Sequence, residues 1–209
     1  MFRRRERITK LPGKWVAGVV LVASSLYLVA QFIQPPQGVA LSAEARAFNR
    51  LKNRTVPPGG ADFDVRVTLA ELLRPGEDRV RWSVSRAAAV EGYVMAVREG
   101  GVEAANSFSF VRRDTHVEVG PRPDSPPRER VILEVTPPLR GWAKGQGMDW
   151  SNAALARELT GRRCRFEGWL LFDSNHAQES ENVRPGAAAN WRATAWELHP
   201  VTFIKVLAE

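Results

Sequence analysis

Residues 131–172 read VILEVTPPLRGWAKGQGMDWSNAALARELTGRRCRFEGWLLF, and the order of signals within them decides the fold. Val131–Val135 is a short, β-branched apolar run, and Arg162–Phe172 alternates aromatic and aliphatic residues with charged ones; both are strand signatures. Between them Ser151 is placed to cap a helix that carries Leu155 and Leu159 four residues apart on one face, and Gly161 ends it. The intervening Arg140–Gly147 is rich in glycine but lacks the G-x-x-x-x-G-K-[ST] spacing of a phosphate loop, and it reads as a flexible loop.

Working outward, Ala89–Val97 and Thr115–Val119 supply two strands before this stretch, and Thr194–Val206 supplies one after it. A short helix is expected at Thr68–Leu73, stopped by Pro75-Gly76, and the Pro-rich Gly120–Pro127 reads as a turn. Three strands, a helix, then two strands is the order of an OB-type barrel, in which the helix plugs one end. A two-sheet sandwich is the rival, and it has no need of that helix. The expected class is therefore mainly β: a five-stranded OB-like barrel with one helix between strands 3 and 4.

The N-terminal third is organised differently. Trp15–Ile33 reads WVAGVVLVASSLYLVAQFI, nineteen residues without a charge. As a helix it would span roughly 28 Å, close to the thickness of a bilayer's hydrocarbon core. Six basic residues, Arg3, Arg4, Arg5, Arg7, Lys10 and Lys14, precede or abut it against Glu6 alone, which predicts a cytoplasmic N-terminus. A cleaved signal peptide shares these features, but the run is longer than a usual signal core and small-x-small pairs near its end are poor. The expected organisation is a cytoplasmic basic tail (1–14), a transmembrane helix (15–33), a linker with a short helix capped by Ser42 (34–60) and an extracytoplasmic OB-like barrel (61–209), periplasmic behind an inner, cytoplasmic membrane. The net charge of +7 then reports orientation, because the first fourteen residues hold five of those charges and leave two for everything beyond. Fourteen prolines exclude a long coiled coil, and the single Cys164 excludes an internal disulfide framework and reads as a buried core thiol.

Only three histidines occur, each in a dense motif: Asp114-Thr115-His116-Val117-Glu118, Phe172-Asp173-Ser174-Asn175-His176 and Trp196-Glu197-Leu198-His199-Pro200. Period-two geometry places Asp114, His116 and Glu118 on one strand face, with Thr115 and Val117 opposite. Glu197 and His199 likewise share a face opposite Trp196 and Leu198. His176 directly follows the fourth strand, where a barrel loop can fold back towards those faces.

These segments, with Gly168-Trp169-Leu170-Leu171-Phe172-Asp173, resemble a group of uncharacterised bacterial, membrane-anchored OB-fold-like proteins. In that group D-x-H, F-D-x-x-H-like and E-[IL]-H-P-V motifs recur in this order, and the match runs from Glu77 to Val206. The resemblance implies an OB-like extracytoplasmic domain and marks Asp114, His116, His176, Glu197 and His199 as the motif positions. It implies no reaction.

Two functions of different class follow from the residues. In the first, the barrel is a binding or envelope-assembly module for a small ligand or an envelope protein, its histidines paired with carboxylates in a structural polar network. In the second, His116, His176 and His199 gather a divalent metal such as zinc for a nuclease-like hydrolase, with Glu118 or Glu197 as general base. No compact H-E-x-x-H or C-x-x-C spacing forces the ligands together. Nucleic acid is disfavoured as a partner: Arg163 and Arg165 share a strand face with Glu167, and the seven tryptophans read as packing residues.

Overall fold

The computed structural model describes residues 13–30 and 35–208. Five strands close a barrel: β1 (Ala87–Glu99), β2 (Thr115–Gly120), β3 (Val131–Val135), β4 (Arg163–Phe172) and β5 (Trp196–Val206), ordered β1-β2-β3-β5-β4. All pairings are antiparallel except β3 with β5, where Leu133 faces Leu198 in parallel register. This is the order expected of an OB-like barrel. Strand β1 serves both edges: Ala87–Tyr93 pairs with β4, and Tyr93–Glu99 pairs with β2. Gly92 sits at that turning point, where a Cβ would lie 2.6 Å from both Val119 Cγ1 and Leu69 Cδ2, so only glycine lets the strand bend so close to its neighbours. Alternate residues such as Val117, Leu133 and Leu198 fill the barrel, and Leu155 and Leu159 join the same core.

Helices α2 (Ala43–Lys52), α3 (Leu69–Leu73) and α5 (Asn152–Leu159) begin at Ser42, Thr68 and Ser151, whose hydroxyls accept from backbone N–H groups three residues on. Between β3 and β4 lies a second helix as well, α4 (Pro137–Gly145), where a flexible loop was expected. Pro137 and Pro138 start it, since a first turn needs no N–H from them and their φ is already helical. Leu139 and Ala143, four residues apart, bury one face of it, while Trp142 meets Trp150 edge-on at 6.0 Å. Of the three glycines that suggested a loop, Gly141 and Gly145 fall on its other faces. Cys164 is buried as expected, and burial pushes its thiol up to about 11.

Helix α1 (Gly13–Ala30) covers most of the expected transmembrane segment. Among the described residues no helix is long and apolar enough to cross a membrane, and residues 1–12 and 31–34 of the expected tail, span and linker lie outside them. Its large apolar side chains, from Trp15 to Val29, are exposed.

The stretch expected to be a linker before residue 61 is part of the packed unit. Gly38, at φ +53°, lets the chain turn against the barrel: a Cβ there would lie 2.2 Å from Ala104 O. Val39 N donates to Ala104 O at 2.9 Å, and Asn53 Nδ2 to Ala105 O at 2.8 Å. The Arg54 guanidinium donates to Val84 O, Leu170 O and His199 O and stacks on Trp169 at 4.8 Å. Lys52 is buried outright. Among the described residues the folded unit therefore includes the segment from Pro36 on, because it supplies the buried Lys52 and the half-buried Arg54 to the barrel. Replacing Lys52 with Met strands carboxylates and should cost about 3–5 kcal/mol, read as a lowered midpoint in urea. A chain starting at Ala61 should melt lower than one starting at Pro35, and equal midpoints would show the segment to be dispensable.

Candidate functional site

Because apolar alternates of β2, β3 and β5 point into the barrel, their polar alternates point outward. Those outward residues are nevertheless buried. The end of α2, the loop after β1 and the loop from Asp173 to Arg192 lie over them, and Asp114, Glu134, Asp173, Arg192, Glu197 and His199 are each at most 3% exposed. Cross-strand pairing sets His116 directly opposite Glu134, and the parallel β3–β5 pairing brings Glu197 and His199 alongside.

The result is a run of alternating charge. His176 Nδ1 lies 2.7 Å from Asp173 Oδ2, which lies 3.8 Å from Arg192 Nη1. Arg192 Nη2 donates to Glu197 Oε1, and Glu197 Oε2 is 3.1 Å from His199 Nδ1. His199 Nδ1 is also 3.3 Å from Glu134 Oε2, and Glu134 Oε1 is 2.9 Å from His116 Nε2. Asp114 Oδ2 stands 3.8 Å from His199 Nε2, and Lys52 Nζ is ion-paired with Glu103. Five carboxylates thus face Lys52, Arg192 and three imidazoles, a balance of sign once the imidazoles are protonated.

Electrostatics favours that protonated state. Burial alone would lower the pKa of His116, but the Glu134 carboxylate, with Glu197 and Asp114 behind it, pushes it up to about 9. His199 is also raised, burial being outweighed by Glu134 and the hydrogen bond to Glu197. His176 is raised chiefly by its hydrogen bond to Asp173. Burial opposes ionisation of Glu134, yet His116, His199 and Lys52 hold it well below the usual carboxylate range. Asp114 is the exception: burial and the nearby Glu134 charge push it up to about 7. Lys52 stays charged, since Glu134, Glu103, Asp173 and Glu197 outweigh its burial; it is an electrostatic clamp and no amine nucleophile.

Both ends of the run open into one cleft of about 340 Å³, lined by Asn49, Lys52, Glu103, His116, Asn175 and His176 among others. Of the six positions singled out from sequence, Asp114, His116, Glu197 and His199 are gathered around Glu134, and His176 joins through Asp173 and Arg192. Glu118 is not: it turns to Arg130 at 2.7 Å and Arg98 at 3.3 Å. Among the described residues two groups have metal-ligand spacing, Glu103 with His116 and Glu134, and Asp114 with Glu134 and His199. Neither is the three-imidazole set of His116, His176 and His199; each contains a single imidazole, and His176 belongs to neither. Sequence reasoning missed Glu134, Lys52, Arg192 and Glu103. Glu134 alone carried a signal, as the one charge inside the apolar strand Val131–Val135.

No protein-family model matches the chain, and no curated protein matches it in sequence. The geometry above therefore carries the functional reading.

The raised imidazoles determine how stability changes with pH. A His whose pKa is higher folded than unfolded stabilises fully below its unfolded value, 6.5 for His176 and His116, and ceases to do so as pH rises through the folded value. Asp114 titrates near 7 and Cys164 above its ordinary 9, so the loss from pH 8 to 9 belongs chiefly to the imidazoles. The urea midpoint should fall over that interval, and His176→Gln should shrink the fall; an unchanged slope in the variant would remove His176 from the network.

Proposed function

We propose that this protein is a membrane-anchored, extracytoplasmic binding module, whose OB-like barrel holds a small anionic ligand in the cleft between His116 and His176. The observation that carries the ligand reading is the common opening of the two imidazole ends. Glu134 and Asp173 engage His116 Nε2 and His176 Nδ1, which leaves His116 Nδ1 and His176 Nε2 for an incoming group. Both imidazoles have raised pKa values and reach the cleft at 19% and 33% side-chain exposure, with Glu103 beside them at 20% and held by Lys52. Asn49 and Asn175 add neutral polar groups to the walls. Such a lining favours a carboxylate or phosphate ester, held by charge-assisted hydrogen bonds.

Support for anchoring comes from the chain's first thirty-three residues. The apolar side chains of α1 are exposed on all its faces, Val19, Leu21 and Leu26 by 68%, 70% and 66%. A helix apolar all round finds its burial in lipid or in another protein, and the basic cluster ahead of it sets the orientation.

Two measurements test the reading. The full chain should stay with membranes through an alkaline wash, and a C-terminal alkaline phosphatase fusion should be active; release by the wash or an inactive fusion refutes the anchor. In detergent-solubilised full chain, inorganic phosphate, glycerol phosphate or succinate should shift the His116 and His176 ring resonances saturably, and His176→Gln should weaken the effect. Absence of a saturable shift with all three refutes the cleft as an anion seat.

A further inference from the structure

Behind the cleft, Asp114, Glu134 and His199 each offer a ligand atom, and the three atoms lie within 4.8 Å of one another. None of these side chains faces solvent; their exposures are 3%, 1% and 0%. Each contributes one buried atom without a hydrogen-bond partner: Asp114 Oδ1, Glu134 Oε2 and His199 Nε2. A buried polar atom left unpaired costs about 1–3 kcal/mol, so one on each member of the triad calls for a partner shared by the three residues. A cation that displaces the His199 Nε2 proton accepts electron pairs from that nitrogen and from two carboxylate oxygens, which a hydrogen-bonding solvent molecule does only in part.

The surroundings are those of a supported ligand set. His199 Nδ1 lies against Glu197 Oε2 at 3.1 Å, and Arg192 in turn holds Glu197, so the ring is oriented with Nε2 turned towards Asp114. A carboxylate behind the second ring nitrogen is how ligating imidazoles are fixed in tautomer and direction. Asp114 precedes β2, Glu134 lies in β3 and His199 in β5, so three adjacent backbone elements of the barrel wall hold the ligands at fixed spacing. The groups converge without any ligand bridging consecutive residues, which is why no compact spacing marks them in the sequence.

We infer that Asp114, Glu134 and His199 form a site for one divalent transition-metal ion of the zinc or manganese kind. Imidazole with two carboxylates is a borderline donor set suited to such ions and less suited to Mg²⁺ or Ca²⁺, which take oxygen ligands. With three protein ligands the ion keeps a free coordination position. The inference stands apart from the anchoring and anion-binding reading, since the triad does not depend on α1 or on a ligand in the cleft.

The test is titration of chelator-treated, detergent-solubilised full chain with ZnCl₂ and MnCl₂ by calorimetry, with the thermal midpoint followed in parallel. One ion per chain should bind saturably and raise the midpoint. His199→Gln and Asp114→Asn should each weaken binding by at least about tenfold. Asp114→Asn keeps the control informative if the His199 variant fails to fold, because the amide matches the carboxyl in shape and removes a buried charge. Glu158→Gln, an exposed carboxylate of α5 outside the network, should leave the affinity unchanged. Lack of saturable binding for both ions, or undiminished binding in a folded Asp114→Asn, overturns the site.

Discussion

The buried ion-pair run from His176 to His116 is the constraint on which the rest of the structure depends. Charges taken out of water persist only when each meets an opposite partner at short range, since the desolvation of an unpaired ion exceeds what packing returns. Here the carboxylates of Asp114, Glu134, Asp173 and Glu197 outnumber the two imidazoles, His116 and His199, that the strands themselves provide. Lys52 at the end of α2 and Arg192 from the last loop supply the deficit. That requirement ties residues far apart in the chain to one place, and it is why the segment before the barrel docks onto it.

Docking has a functional consequence. The cover formed by α2 and the two long loops converts what would be an exposed outer sheet face into a lined cleft with a buried floor. The two terminal imidazoles of the run stay at its surface, while the triad of Asp114, Glu134 and His199 is sealed behind them. One network therefore offers two chemically distinct environments, a protonated rim suited to anions and an electron-rich interior suited to a cation. They share Glu134, whose two oxygens face His116 and His199 respectively.

Much of the barrel was legible before any coordinates. Strand positions followed from period-two patterning, and the two hydroxyl residues predicted as helix caps, Ser42 and Ser151, both serve as caps. Placing Asp114 with His116, and Glu197 with His199, on faces opposite the apolar set was also a local inference, because alternation depends only on the strand. Helix α4 was missed because its glycines outweighed the two prolines in a reading of composition. Glu118 was grouped with His116 by the same alternation that succeeded elsewhere, yet two residues along a strand is far enough to meet Arg98 and Arg130 instead.

Local pattern in the sequence thus determined the strands, the capped helices, which face of each strand is polar, and the apolar N-terminal stretch with its basic flank. These depend on neighbours a few residues away, where steric and hydrogen-bonding preferences act directly. Only the tertiary structure decided that Glu134 joins His116 and His199, that Lys52 and Arg192 neutralise the cluster, and that α2 belongs to the folded unit. Each of those outcomes rests on Coulombic attraction between residues as much as 145 positions apart, Lys52 and Glu197, and closing the barrel is what brings them together.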